Sequence, residues 1–444
     1  MIKKIALLYL IVAVSFTAVQ AQSFNKAKLD SLFDAISANN KGMGSLAISK
    51  DGKVIYQRAT GYSLYNVDNK LSANPKTKYR IGSISKMFTG SMIFQLIEEG
   101  KLNLAAPLST YYPQIPNAAK ITIAMMLQHC SGLHNFTNDA VYQTYMLQPK
   151  TEQEMVAIFA AQQPDFEPDA KSNYSNTNFV LLGYIIEKLT KKTYAENLRE
   201  RIVAKAGLTD TYYGGKINAA NNEANSYWFS TNTWVPATET NMSIPGGAGA
   251  VISTPTDLTK FVEALFAGKL ISKEHLAMMQ NIRDNYGMAM FHYPVFTYNG
   301  YGHTGGIDGF GSQVIHFPAE YATVAYCSNG ANYDIANIIL AAASALFDKP
   351  YVIPTFKTVT VDNNVLDKYT GVYSAANFPL KIMVTNNSGV LWAQGTGQGA
   401  FQLETQSATV FKFAAAGITL EFNAEKSEMI LMQAGRSYTL TKEK

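Results

Sequence analysis

A chain of 444 residues is longer than one ordinary domain and is read here as two or three. With 47% hydrophobic and 16% charged residues it can bury a large core and is not of a disordered type. A formal net charge of +4, falling to +2 without residues 1–21, is nearly neutral and argues against nucleic acid as the partner. Six scattered histidines, with no His-Glu-x-x-His and no Cys-x-x-Cys, give a metal site no support, and no cofactor is expected.

The first residues include Lys3 and Lys4, followed by an apolar run from Ile5 to Val19 that only Ser15 and Thr17 interrupt. Val19-Gln20-Ala21 then supplies a small-x-small cleavage pattern. Residues 1–21 are therefore expected to be a signal peptide, giving an exported protein, periplasmic or extracellular, with no stable membrane anchor. Its removal lowers the net charge to +2, because Lys3 and Lys4 leave with no acid. Cys130 and Cys327 could pair after export, but both follow apolar residues and are read as buried free thiols.

An amphipathic pattern at Leu29, Leu32, Phe33 and Ile36 predicts an N-terminal helix from Phe24 to Ala38. Runs 44–49 and 53–58 flank Asp51-Gly52, a strong hairpin signal. The stretch Tyr79 to Gly90 reads as a loop entering a helix, with Gly82 permitting a turn and Gly100 ending the apolar periodicity. Helical patterns follow at 121–127, 152–161, 176–189 and 194–205, within a mostly helical insertion from residue 100 to about 240. Thr254 is expected to cap a helix that Gly268 stops. Strands are expected at 286–292, 312–317 and 322–328, then a helix from Asp334 to Phe347. That order describes one antiparallel sheet faced by helices, with a helical region inserted between its halves. Residues 349–356 read as a linker, and beyond it short alternating runs predict a small β-barrel or sandwich with no catalytic constellation.

The chemistry is carried by three stretches. Ser83 and Lys86 are three apart, so on a helix they share a face, and a serine there can lose its proton to a neighbouring base. The motif alone is weak: Ser23 and Lys26 repeat it, and an N-cap serine beside a solvated lysine is the plainer reading of it. Tyr174-Ser175-Asn176 begins a helix, where a phenol and a carboxamide can point together into a cleft; a phenolate favoured by a nearby ammonium would be a proton shuttle. A core tyrosine and an N-cap asparagine are the plainer reading. The stretch from Tyr301 to Ser312 is rich in glycine just before an expected strand, so its backbone N–H groups can serve an oxyanion hole, or it is only a turn-rich hairpin.

Taken together, Arg80 to Lys86, Leu127 to Leu133, Tyr174 to Asn176, Ala248 to Thr254 and Gly302 to Gly306 resemble the serine β-lactamase and penicillin-binding family, in the branch of class C β-lactamases, DD-carboxypeptidases, D-aminopeptidases and related esterases. The resemblance implies an α/β (α+β) fold of the β-lactamase/transpeptidase type over residues 22–348. The segment 357–444 resembles lipocalin-like barrels fused to some members. It implies Ser83 as nucleophile, Lys86 and Tyr174 as proton carriers, and Asn176, His303, Thr304 and Gly305 as substrate-binding residues. The N–H groups of Ser83 and Gly306 would form the oxyanion hole. The implied activity is hydrolysis of D-amino-acid peptides through an acyl-enzyme, with a small-molecule or peptide substrate. Alternatives are a carboxylesterase, a β-lactamase, or a penicillin-binding sensor with little turnover. His303 stands where class C β-lactamases carry lysine, so a histidine titrating near pH 6.5 is expected to weaken acylation by carboxylate-bearing substrates between pH 6 and 8. Arg283 is the other candidate for that charge.

Overall fold

The computed structural model describes residues 24–443, except 67, 231, 357, 358, 414, 415 and 434. The expected signal peptide and Ser23 lie outside the described residues. The helix Lys26–Ala38 precedes the hairpin of Gly42–Lys50 and Lys53–Thr60, in which Asp51 and Gly52 both take positive φ, as an Asp-Gly turn requires. These two strands form one edge of a six-stranded antiparallel sheet. From the other edge its order is Phe291–Val295, Tyr298–Ile307, Phe310–Phe317, Ala322–Ala331, Gly42–Lys50, Lys53–Thr60. Ala322–Ala331 is central and buried along nearly its whole length, its polar Thr323, Ser328 and Asn329 included.

Both faces of the sheet are covered. Leu29, Leu32, Phe33 and Ile36 pack with Ile338 and Ile339 of the helix Ile335–Leu346 against Ile315, Phe317, Val324 and Tyr326. The opposite face, with Val314, Ala325 and Cys327, joins the larger core built around the helix Ser85–Glu98. That helix is buried on every side from Ser85 to Leu96, as a central helix must be, and Phe88 stacks on Phe261 of Pro255–Phe266 at 3.7 Å. Thr254 caps Pro255–Phe266 as expected, donated to by the Asp257 N–H. Both cysteines are free and buried.

Two strand expectations shift. Residues 286–290 hold only an isolated bridge at Tyr286 and a bend, and the strand there is Phe291–Val295. The glycine-rich stretch is not a prelude to a strand but a ten-residue strand itself, Tyr298–Ile307, closed by an Asp308-Gly309 turn. Its glycines let other backbone come near: a Cβ at Gly302 would lie 1.9 Å from the Val314 carbonyl oxygen.

The C-terminal region is a nine-stranded sheet whose end strands, Phe401–Gln402 and Glu404–Thr405, are separated only by Leu403. The sheet therefore curls until its two edges adjoin, giving a nearly closed barrel around Phe411, Leu420, Phe422, Met429 and Leu440. The helix Asn363–Tyr369, which the pattern reading missed, contributes Leu366 and Tyr369 to that core. Glu404 forms an ion pair with the nearly buried Lys41, beside the strand Gly42–Lys50.

Candidate active site

Ser83 occupies a tight turn, Gly82–Ile84, that runs directly into Ser85–Glu98. The turn is held from three sides. Ile81 N–H donates to the Val251 carbonyl at 3.0 Å, Ser312 Oγ donates to the Ile81 carbonyl at 2.8 Å, and Val251 N–H donates to Ser85 Oγ at 3.1 Å. Gly82 has φ +50, and a Cβ there would stand 2.7 Å from Gly306 N. Only glycine lets the Ser83 turn and the Tyr298–Ile307 strand come this close.

Lys86 lies one turn on and is fully buried. Its Nζ is 3.0 Å from Ser83 Oγ, 2.8 Å from Asn176 Oδ1 and 2.9 Å from the Ala248 carbonyl oxygen. Burial drives its pKa well below the ordinary lysine value. A neutral amine has two N–H donors and one lone pair. In that unprotonated form the asparagine and backbone oxygens would take the two donors and leave the lone pair for the Ser83 hydroxyl. This is the arrangement of a general base beside its nucleophile. The solvated lysine of the plainer sequence reading is excluded.

Asn176 is the first residue of Asn176–Thr190, with Ser175 rather than Asn176 at the cap position. Its N–H donates to Asn135 Oδ1 at 2.9 Å and its Nδ2 to Thr137 Oγ1 at 3.1 Å, which fixes the carboxamide oxygen on Lys86. The Tyr174 phenol lies within the influence of Ser83, and its ring lies 4.8 Å from Lys86 Nζ. The phenolate expectation is corrected here. Burial pushes the phenol well above its ordinary pKa, against a lowering effect from Ser83. Tyr174 is a protonated phenol, able to donate.

His129, which the pattern reading passed over, grips this segment with three separate groups. Its carbonyl accepts from Asn173 N–H at 2.8 Å, its ring stacks on Tyr174 at 4.5 Å, and its Nδ1 accepts from Ser175 N–H at 3.1 Å. Its φ of 58° shows the backbone bent to reach all three.

The third stretch divides. Gly306 lines a cleft of about 410 Å³ together with Ser83 and Asn176; His303, Thr304 and Gly305 are not on its wall. Gly305 instead faces the Ile81 carbonyl, which a Cβ there would meet at 1.9 Å. His303 and Thr304 are neighbours on a strand and so point to opposite faces, the histidine buried and the threonine exposed. The His303 ring packs against Phe291 at 4.6 Å, and burial, with Lys86 adding to it, pushes its pKa down to about 3. His303 is neutral throughout pH 6–8, so the expected titrating cation is absent. Arg283 does not replace it: it pairs with Asp169 and donates to that residue's carbonyl at 2.6 Å.

The far wall was not legible. Arg80, buried, bonds Asp308 at 2.9 Å, Glu239 at 2.7 Å and the Thr240 carbonyl at 2.9 Å, which ties the 238–240 segment to the end of the Tyr298–Ile307 strand. Phe136, Tyr142 and Trp228 add an aromatic lining. The Asp308-Gly309 turn was the available signal, since it aims Asp308 back at Arg80.

A family model described as Beta-lactamase matches residues 29–346. A penicillin-binding protein of Bacillus subtilis is 27% identical over 435 residues, covering 90% of this chain and 94% of that one. The teichoic acid D-alanine hydrolase of Staphylococcus aureus is 28% identical over 231 residues, 52% of this chain and 55% of its own length. Among solved structures, the D-amino acid amidase of Ochrobactrum anthropi, complexed with D-phenylalanine, superposes with a TM-score of 0.63 at 25% identity, over 72% of this chain and 99% of that one. The octameric penicillin-binding protein homologue of Pyrococcus abyssi has a TM-score of 0.64 at 22% identity, covering 94% of this chain and all of that one, and so shares the fold.

Proposed function

Because this chain belongs to the β-lactamase family, whose fold and serine-hydrolase chemistry it shares, we propose that it hydrolyses amide or ester bonds of D-amino-acid compounds through an acyl-enzyme on Ser83. The observation that carries this reading is the buried Lys86 amine, spent on two oxygen acceptors and turned to the serine hydroxyl.

In the proposed cycle, Lys86 Nζ takes the Ser83 proton as Oγ attacks the carbonyl carbon. The oxyanion forms beside the Ser83 and Gly306 N–H groups, where fixed donors stabilise it without reorganising. The Tyr174 hydroxyl passes its proton to the leaving amine or alkoxide and is refilled with the one Lys86 took, so the Ser83 proton in effect departs with the leaving group. Water then enters, loses a proton back along the same route, and releases the acyl group as a carboxylic acid. Asn176 holds the lysine in place. Residues 22–348 are proposed to hold this machinery and 357–444 to be an accessory barrel, the chain being exported after loss of residues 1–21.

The preference for the D configuration is supported by the D-alanine hydrolase relative and the D-amino acid amidase fold. Assay of D- and L-phenylalanine amide, nitrocefin and p-nitrophenyl butyrate on one preparation tests it. The D-amide is expected to exceed the L-amide by at least about tenfold in kcat/KM, a gap worth about 1.4 kcal/mol. Equal rates for the two amides, or hydrolysis of the butyrate ester alone, would overturn the substrate assignment.

A further inference from the structure

The charge on the cleft walls points to a narrower substrate class. Among the described residues lining the cleft there is no lysine or arginine, and the one carboxylate is Asp308. Its Oδ2 accepts from Arg80 Nη1 at 2.9 Å, and its Oδ1 accepts from the Thr240 N–H at 3.0 Å and hydroxyl at 2.6 Å. Arg80 is shared with Glu239 at 2.7 Å, and the residues on either side of Glu239, Thr238 and Thr240, both stand on the wall. Two carboxylates thus share one guanidinium, with Glu239 itself in the adjoining hollow rather than on the cleft wall. The field reaches across. Burial raises the pKa of Tyr142, another wall residue, and the Asp308 charge adds to it against a Thr240 hydrogen bond.

The cations nearest the cleft lie off its wall: the exposed Lys216 lines the adjoining hollow with Arg80 and Glu239. His303 is packed under Phe291 off the wall, Arg283 is bound to Asp169, and Lys150 pairs with Glu154 at 3.4 Å. Lys86 is buried behind Ser83, with its amine fully occupied. A carboxylate on the substrate would enter a partly desolvated cleft whose described wall offers it no cation, which is costly. An ammonium would be drawn in. The aromatic faces of Tyr142 and Trp228, the latter 56% exposed at the rim, suit a cation and an apolar side chain alike.

We propose that this cleft selects amides and esters whose acyl half carries a free ammonium and whose leaving group bears no carboxylate. The inference rests on the acyl-enzyme reading above and excludes peptides ending in a free D-alanine carboxylate, and β-lactams, as good substrates. Hydrolysis converts the acyl carbonyl to a carboxylate while the amine or alcohol departs with the Ser83-derived proton. The same wall therefore repels the product it has just made.

The test uses the unmodified protein and matched pairs. D-phenylalanine amide is compared with its N-acetyl derivative, and D-phenylalanyl-D-alanine amide with the same dipeptide as the free acid. Each loss of the ammonium, or gain of the carboxylate, should lower kcat/KM by about tenfold, and added salt should narrow both gaps. Glu239→Gln should narrow them too. A free-acid dipeptide cleaved as well as its amide, or an N-acetyl amide cleaved as well as the free amine, overturns the proposal. A neutral fluorophosphonate, run on the same preparation, separates the causes. Labelled Ser83 with no charge preference overturns this inference alone; unlabelled Ser83 overturns the acyl-enzyme reading and this one with it.

Discussion

Replacing Lys86 by methionine is expected to lower the acylation rate by about a thousandfold, within the range that a positioned general base supplies. The side chains are close in length, so the packing around Phe179 and the aliphatic stem is retained while the amine is lost. The oxygens of Asn176 and Ala248 lose a donor, but the burial of an ionisable group ends as well, so the loss should fall on rate rather than on folding. The pH dependence has a definite sign. The base form is the unprotonated one, and burial sets the Lys86 pKa well below 10.5. Acylation of a neutral ester should therefore rise with pH through that lowered value and level off well short of pH 10.5, and the rising limb should vanish in the variant. Stability is linked in the same direction: between the folded and ordinary lysine pKa values the unfolded chain holds the extra proton, so raising pH across that window stabilises the native state. Stopped acylation with an intact circular dichroism spectrum supports the assignment. An acylation rate within threefold of the parent would contradict it.

Gly82→Ala should be the most damaging single methyl in the site. Alanine at φ +50 costs about 1–2 kcal/mol by itself. The added Cβ would also lie 2.7 Å from Gly306 N and 2.9 Å from its C and O, all backbone atoms that cannot rotate away. The turn and the strand must separate, and with them the two N–H groups proposed for the oxyanion. We expect a stability loss of about 2–4 kcal/mol and a fall in acylation of about 100-fold or more. Gly306→Ala is the matched control for folding, because a Cβ there meets nothing within 4 Å. It should change stability by no more than about 0.5 kcal/mol. Denaturant unfolding of the two variants side by side distinguishes a close-approach glycine from one that is merely in the strand.

What could be read in the sequence was what local chemistry encodes. The Asp51-Gly52 hairpin, the Thr254 cap and the Gly100 stop follow from backbone preferences, and each is present. Ser83, Lys86, Tyr174 and Asn176 could be singled out because their side chains carry unusual chemistry at fixed spacing, and the fold brings all four together. What failed was whatever depends on burial. Nothing local shows that His303 lies under Phe291, and strand geometry already forbids His303 and Thr304 from facing the same cleft. The phenolate expected at Tyr174 was read the wrong way for the same reason: desolvation outweighs proximity when the group is buried. The Ala248 carbonyl escaped notice because a backbone acceptor leaves no mark in composition. Arg80, Asp308 and Glu239 are far apart in the chain and meet only once the sheet and the insertion are folded.

The most direct measurement is the site of covalent attachment. The purified protein is treated with a neutral fluorophosphonate, digested, and mapped by mass spectrometry, in parallel with Ser83→Ala. One adduct per chain on the peptide containing Ser83, absent from the variant while its circular dichroism is unchanged, is the predicted result. An adduct on any other serine, or undiminished labelling of Ser83→Ala, would contradict the account at its centre.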